Sequence, residues 1–138
     1  MGIDFGTTNS VLAYCKKEKL EVLHIGNNGK TLMKSIVSFY KEPPMVDPPT
    51  SAPEYYEYSV KNVKRCLGID YSENIAAEGR VMFNTTIEKR TRDGKCLLRI
   101  QKPKKKGIIP EIMMDPEEVA SLIIQKLLDK LKEREIIS

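Results

Sequence analysis

Residues 2–10 read Gly2-Ile3-Asp4-Phe5-Gly6-Thr7-Thr8-Asn9-Ser10, and the chain resumes as Val11-Leu12-Ala13-Tyr14. A short apolar run meets an acid, crosses a polar turn and continues as a second β-type run, which predicts a β-hairpin rather than a strand-to-helix loop. The turn has the chemistry of a phosphate grip. Gly6 lacks a Cβ, so backbone can approach an anion closely. Consecutive amides in such a turn form a positively polarised nest. Thr7 and Thr8 add hydroxyl donors and Asn9 adds an amide. Asp4 is a hard oxygen ligand suited to Mg²⁺ or its waters. The pattern is not GxxxxGK[ST], because no Lys follows and no helix begins. The plain alternative is a hairpin turn in which Gly and Thr serve geometry alone.

The string Gly2 to Ser10 resembles the first phosphate motif of the seventy-kilodalton heat-shock chaperones, whose nucleotide domain belongs to the actin and hexokinase superfamily. Its core Asp4-Phe5-Gly6-Thr7-Thr8 also occurs in the pattern of sugar kinases, but the longer string is narrower. A second stretch, Val60-Lys61-Asn62-Val63-Lys64-Arg65-Cys66-Leu67-Gly68, is similar to the family's segment ending Ala-Lys-Arg-Leu-Ile-Gly. The resemblance implies ATP and Mg²⁺ as cofactors. It implies that Asp4 organises the Mg²⁺ waters, that Gly6, Thr7, Thr8 and Asn9 hold the β- and γ-phosphates, and that Lys64 reaches the γ-phosphate and assists hydrolysis. A compact ammonium there would stabilise charge developing on the transferring phosphoryl. Read from spacing alone, the same stretch is a solvated helix face, with Lys61, Lys64 and Arg65 opposite Val60, Val63 and Leu67.

The 138 residues suit one domain, and 41% hydrophobic residues can supply a core. The net charge of +4 does not demand a nucleic-acid partner. Cys15, Cys66 and Cys96 lack CxxC spacing and read as reduced thiols in a cytoplasmic setting. The single His24 cannot build a metal site or a His-based triad, and no apolar run approaches bilayer length, so no membrane partner is expected.

Further strands are expected over Leu20 to Ile25 and Ile36 to Tyr40. Before the latter, the family carries Thr-Thr-Pro-Ser, of which this chain, at Leu32-Met33-Lys34-Ser35, retains only Ser35. Residues 43–53 hold five prolines and should be extended and unpaired. A short helix is expected over Val60 to Gly68, and a hairpin over residues 81–101 turns at Asp93-Gly94 with Cys96, Leu98 and Ile100 on one face. The basic run Lys102-Pro103-Lys104-Lys105-Lys106-Gly107 reads as a solvated connector. The last element is a helix capped by Asp115, with Pro116 at its first position and Glu118 completing a capping box. Its apolar stripe is Ala120, Ile123, Ile124, Leu127, Leu128 and Leu131.

The expected fold is α/β, mixed and antiparallel-rich: part of lobe one of an actin-like ATPase with a ribonuclease H-like fold. Residues 1–138 would form a single fragment of the nucleotide-binding domain. Residues 1–40 and 107–138 would build the first-lobe core, 54–106 a small subdomain, and 41–53 a proline-rich loop. The family's second phosphate motif, adenosine motif, second lobe and peptide-binding domain find no counterpart; Arg92-Asp93-Gly94 falls in the hairpin. The chain therefore reads as a truncated ATP-binding stress-response chaperone, inactive alone. In the complete family protein the partners are nucleotide, unfolded polypeptides and cochaperones. The rival reading is a non-enzymatic interaction fragment that binds cochaperones or other partners.

Overall fold

The computed structural model describes residues 1–134. Strands β1 (Gly2–Phe5) and β2 (Asn9–Lys16) pair antiparallel, with Phe5 opposite Ser10. The phosphate turn is thus a hairpin, as its flanking β-type runs require. Lys17 and Glu18 both take positive φ, 49° and 66°, and return the chain through a two-residue turn into β3 (Lys19–Val22). The start of β2 also pairs with β4 (Met33–Lys34), Asn9 facing Lys34 and Ser10 facing Met33.

A second sheet has β5 (Val37–Ser38) at its centre, flanked by β6 (Met45–Val46) and β7 (Ser59–Val60). The proline-rich segment is therefore not wholly unpaired: Val46 pairs opposite Val37 because prolines 44 and 48 leave three residues, 45–47, that keep their amides. Pro53 opens α1 (Pro53–Glu57) at a position where its missing N–H costs nothing. The helix expected over Val60 to Gly68 shrinks to one 3-10 turn, Val63–Cys66. Val60 is taken by the sheet, and Asn62, at φ 57°, breaks any helix that would join them.

Helix α2 (Glu73–Phe83) takes only Val81-Met82-Phe83 from the start of the expected 81–101 hairpin. Ser72 caps it by accepting from the Ile75 amide at 3.2 Å, and Asn84 ends it in the left-handed region. The hairpin proper is β8 (Thr86–Lys89) and β9 (Cys96–Gln101), with β10 (Glu111–Met114) on the other side of β9. Cys96, Leu98 and Ile100 are buried on one face, as their alternation dictates.

Helix α3 (Pro116–Glu133) crosses the molecule against the 3-10 turn, β5, β6 and β9. The Glu118 carboxylate accepts from the Asp115 amide at 3.1 Å. Val119, Ala120, Ile123, Leu127 and Leu131 are buried; Ile124, next around the helix, is 39% exposed and leaves the expected stripe. Burying side chains such as Ile123 and Leu127 contributes about 1.5–3 kcal/mol each. They join Leu12, Met33, Phe39, Phe83 and Leu98 in one core under all three sheets.

Arg90 ties the β8–β9 turn to the start of α3. Its guanidinium donates to both Asp93 oxygens at 2.9 and 2.8 Å and to Glu117 at 2.7 Å, and pairs with Asp115 at 3.2 Å. Hydrogen bonding from Arg90 holds the Asp93 carboxyl down at about 2. His24 is exposed, with Nδ1 2.6 Å from the Gly29 carbonyl. Among the described residues no helix is long and apolar enough to cross a membrane.

Candidate functional site

The turn between β1 and β2 is closed by one bond, from the Gly6 amide to the Asn9 carbonyl at 3.0 Å. A Cβ on Gly6 would sit 2.4 Å from that carbonyl, a separation no real contact tolerates. The glycine is there for space: its φ lies outside the left-handed region. The amides of Thr7 and Thr8 make no hydrogen bond within the described residues, so they remain free for an anion.

Ser35 buttresses the turn from the adjoining strand end. Its amide donates to the Thr8 carbonyl at 2.9 Å and its hydroxyl to the Gly6 carbonyl at 3.0 Å. The Ser35 and Ser10 hydroxyls, both buried, lie 2.9 Å apart. The two bonds to Thr8 and Gly6 each engage a carbonyl of the turn, which leaves its free amides as the unpaired backbone groups. Sequence reasoning assigned Ser35 no role. The signal was its retention where the neighbouring family residues had changed.

Lys64 is carried to the same place by the 3-10 turn, which the buried Val63 and Cys66 anchor in the core. Its Nζ donates to the Phe5 carbonyl at 2.7 Å and stands 5.7 Å from the centre of the Phe5 ring. Phe5 directly precedes Gly6, so the chain brings Lys64 to the mouth of the turn across 59 positions. Asp4, Thr8 and Lys64 are exposed; Gly6, Thr7 and Asn9 are half-buried.

The donor set fits a nucleotide phosphate with Mg²⁺. Among the described residues no cluster of three His, Cys, Asp or Glu side chains could hold a metal alone. A lone carboxylate such as Asp4 suits a cation that keeps its waters and takes the remaining ligands from phosphate oxygens. With Asp4, Thr8 and Lys64 exposed, the mouth of the turn opens to solvent.

Helices with antiparallel sheets, and a tight glycine hairpin beside a lysine, define a class of protein: the fold is consistent with part of the first lobe of an actin-like ATPase. The family model described as Hsp70 protein matches residues 1–135, and the chain belongs to the Hsp70 family. It is also similar to the chaperone protein DnaK of Mesomycoplasma hyopneumoniae (strain J), 38% identical over 71 residues. That match covers 51% of this chain and 12% of the relative's length.

Proposed function

We propose that this chain contributes the first-lobe phosphate grip of an ATP-driven chaperone. The observation that carries the reading is the 2.7 Å bond from Lys64 Nζ to the Phe5 carbonyl, which sets a cation at the mouth of a turn with free amides. The amides of Thr7 and Thr8, with their hydroxyls and Asn9, would hold β- and γ-phosphate oxygens. Gly6 keeps the turn tight enough for them to converge. Asp4 would hold waters of Mg²⁺, which when bound with the nucleotide neutralises phosphate charge. Lys64 would release the Phe5 carbonyl and turn to the γ-phosphate, where an ammonium favours the transferring phosphoryl. Coupling of this grip to unfolded polypeptides and cochaperones is part of the same proposal.

The turn is open to water, so each contact is weak and the isolated chain should bind Mg-ATP with a Kd above about 100 μM and show negligible hydrolysis. The test is a nuclear magnetic resonance titration with Mg-ATP. Shifts should concentrate at Gly6, Thr7, Thr8, Asn9 and Lys64, and Asp4→Ala should remove the Mg²⁺ dependence. Shifts elsewhere with this turn silent would sink the reading. Submicromolar binding with turnover abolished by Lys64→Ala would show a complete enzyme instead.

A second reading, a non-enzymatic partner-binding chain, is favoured by the solvent exposure of Asp4, Thr8 and Lys64. Partner capture that persists unchanged in Asp4→Ala would support it.

A further inference from the structure

Away from the phosphate turn, the β9–β10 connection folds back on itself and its lysines meet aromatic residues from the β5–β7 sheet. Two concavities, of about 450 and 520 Å³, share Lys102. The larger is walled by Tyr40, Pro103 and Pro110, with Lys41, Lys102 and Lys105 at its rim. The other presents Arg80 and Lys104 beside Tyr58 and Ile109. Tyr40 and Tyr58 stack with ring centres 5.9 Å apart and form the partition between the two. The Phe39 amide donates to the Tyr58 carbonyl at 2.9 Å and fixes that partition to the sheet.

Five cations therefore face two anions, Glu42 and Glu57, and Glu42 is consumed by an ion pair with Lys102. The side chains of Lys104 and Lys105 make no hydrogen bond or ion pair within the described residues. Ile109, 53% exposed, extends the apolar lining outward. Paired cations flanking proline and aromatic walls are complementary to carboxylates on either side of an apolar side chain.

We propose that this double concavity is a docking site for an acidic peptide segment that carries one aromatic or large aliphatic anchor. The anchor enters between Tyr40, Pro103 and Pro110. Its flanking carboxylates meet Lys41 and Lys105 on one side and Arg80 and Lys104 on the other. A single-stranded nucleic acid fits less well, because bases need a free ring face. The Tyr40 ring is already engaged by Tyr58 in a stack, by Tyr55 edge-on at 5.1 Å, and by the Lys41 ammonium at 5.9 Å. The surface shares no residue with the phosphate turn, so the proposal stands independently of ATP binding.

The test is fluorescence anisotropy on the whole chain with a labelled peptide in which one Phe is flanked on both sides by Asp and Glu. Saturable binding is expected, about tenfold weaker for Lys104→Glu/Lys105→Glu. The remote pair Lys19→Glu/Lys30→Glu, with the same change in net charge, should shift it less than about twofold. Replacing the peptide's Phe by Ser should weaken binding while leaving its salt dependence intact. Equal loss in the remote pair would overturn the site, since net charge alone would then explain binding. Indifference to the Phe would overturn the anchor. An oligothymidylate that binds more tightly than the peptide and displaces it, or no saturable peptide binding at all, would overturn the proposal outright.

Discussion

Replacing Gly6 by Ala tests whether the phosphate turn is built on close approach. The added methyl carbon would stand 2.4 Å from the Asn9 carbonyl oxygen, and contacts of this kind do not occur below 3.0 Å. The turn must open by the difference, and the 3.0 Å bond from Gly6 N to Asn9 O is the bond that opening stretches. Losing that bond costs about 0.5–1.5 kcal/mol. Forcing a carbon against backbone adds about 1–3 kcal/mol, because no flexible side chain can move aside. The lower entropy of the unfolded alanine chain returns about 0.4–1 kcal/mol. The net expectation is a loss of about 0.5–4 kcal/mol, centred on about 2, read as a fall of roughly 1 M in the urea midpoint at an m-value of about 2 kcal/mol/M. Gly2→Ala is the matched control. It lies in β1, the strand that leads into the turn, and its Cβ would meet nothing nearer than the Ala13 carbonyl at 4.0 Å. Equal midpoints for the two variants would refute the close-approach account. A destabilised Gly6→Ala that kept its Mg-ATP shifts would show that turn geometry and phosphate binding are separable.

Ser35→Ala should lower stability by about 1–3 kcal/mol in the same urea assay, since it strands the buried Ser10 hydroxyl and frees the Gly6 carbonyl. It should weaken phosphate binding too, because that carbonyl would then face the anion. Acid should loosen the link between the β8–β9 turn and α3. Arg90 holds Asp93 at about 2, below the ordinary carboxyl value of 3.8, so its contribution is present above about pH 4 and is lost as pH falls toward 2. Arg90→Met should flatten that part of the melting temperature's pH profile. Thiol labelling should find one fast cysteine, the exposed Cys15; Cys96 is fully buried, and burial pushes Cys66 up to about 12, so both should react only on unfolding. Rapid modification of all three in native buffer would contradict the packing of α3 over the 3-10 turn.

The elements legible in the sequence are those whose causes are local. The β1–β2 hairpin could be read because a glycine turn sits between two short β-type runs. Helix α3 could be read because Asp115, Pro116 and Glu118 mark its start and its stripe, Ala120 to Leu131, keeps a helical period over about three turns. Helix α2 escaped because its end, Val81-Met82-Phe83, looks like a strand and its middle carries Gly79, a poor helix former. Gly79 is nevertheless required: a Cβ there would lie 2.8 Å from the Thr85 carbonyl, where the helix packs on the chain entering β8. That contact is tertiary and leaves no trace in spacing. The caps at Ser72 and Asn84 were the local signals available.

The site divides along the same line. Gly6, Thr7, Thr8 and Asn9 are neighbours in the chain, so their convergence followed from the turn alone. Lys64 was reached only through resemblance, because its helical period pointed to a solvated face. What brings it to Phe5 is the break at Asn62, which ends β7 and lets Val63 and Cys66 dock into the core while Lys64 projects outward. Ser35 is the complementary case: a residue remote in sequence that bonds to the turn from behind, at the Gly6 and Thr8 carbonyls. The turn is thus held on one side by a buried hydroxyl pair and faced at its mouth by a mobile-ended cation. Preorganisation and charge are supplied by different elements. A variant of Ser35 should therefore disturb stability and binding together, whereas Lys64→Ala, at an exposed position, should spare the fold and change only what the turn does with phosphate.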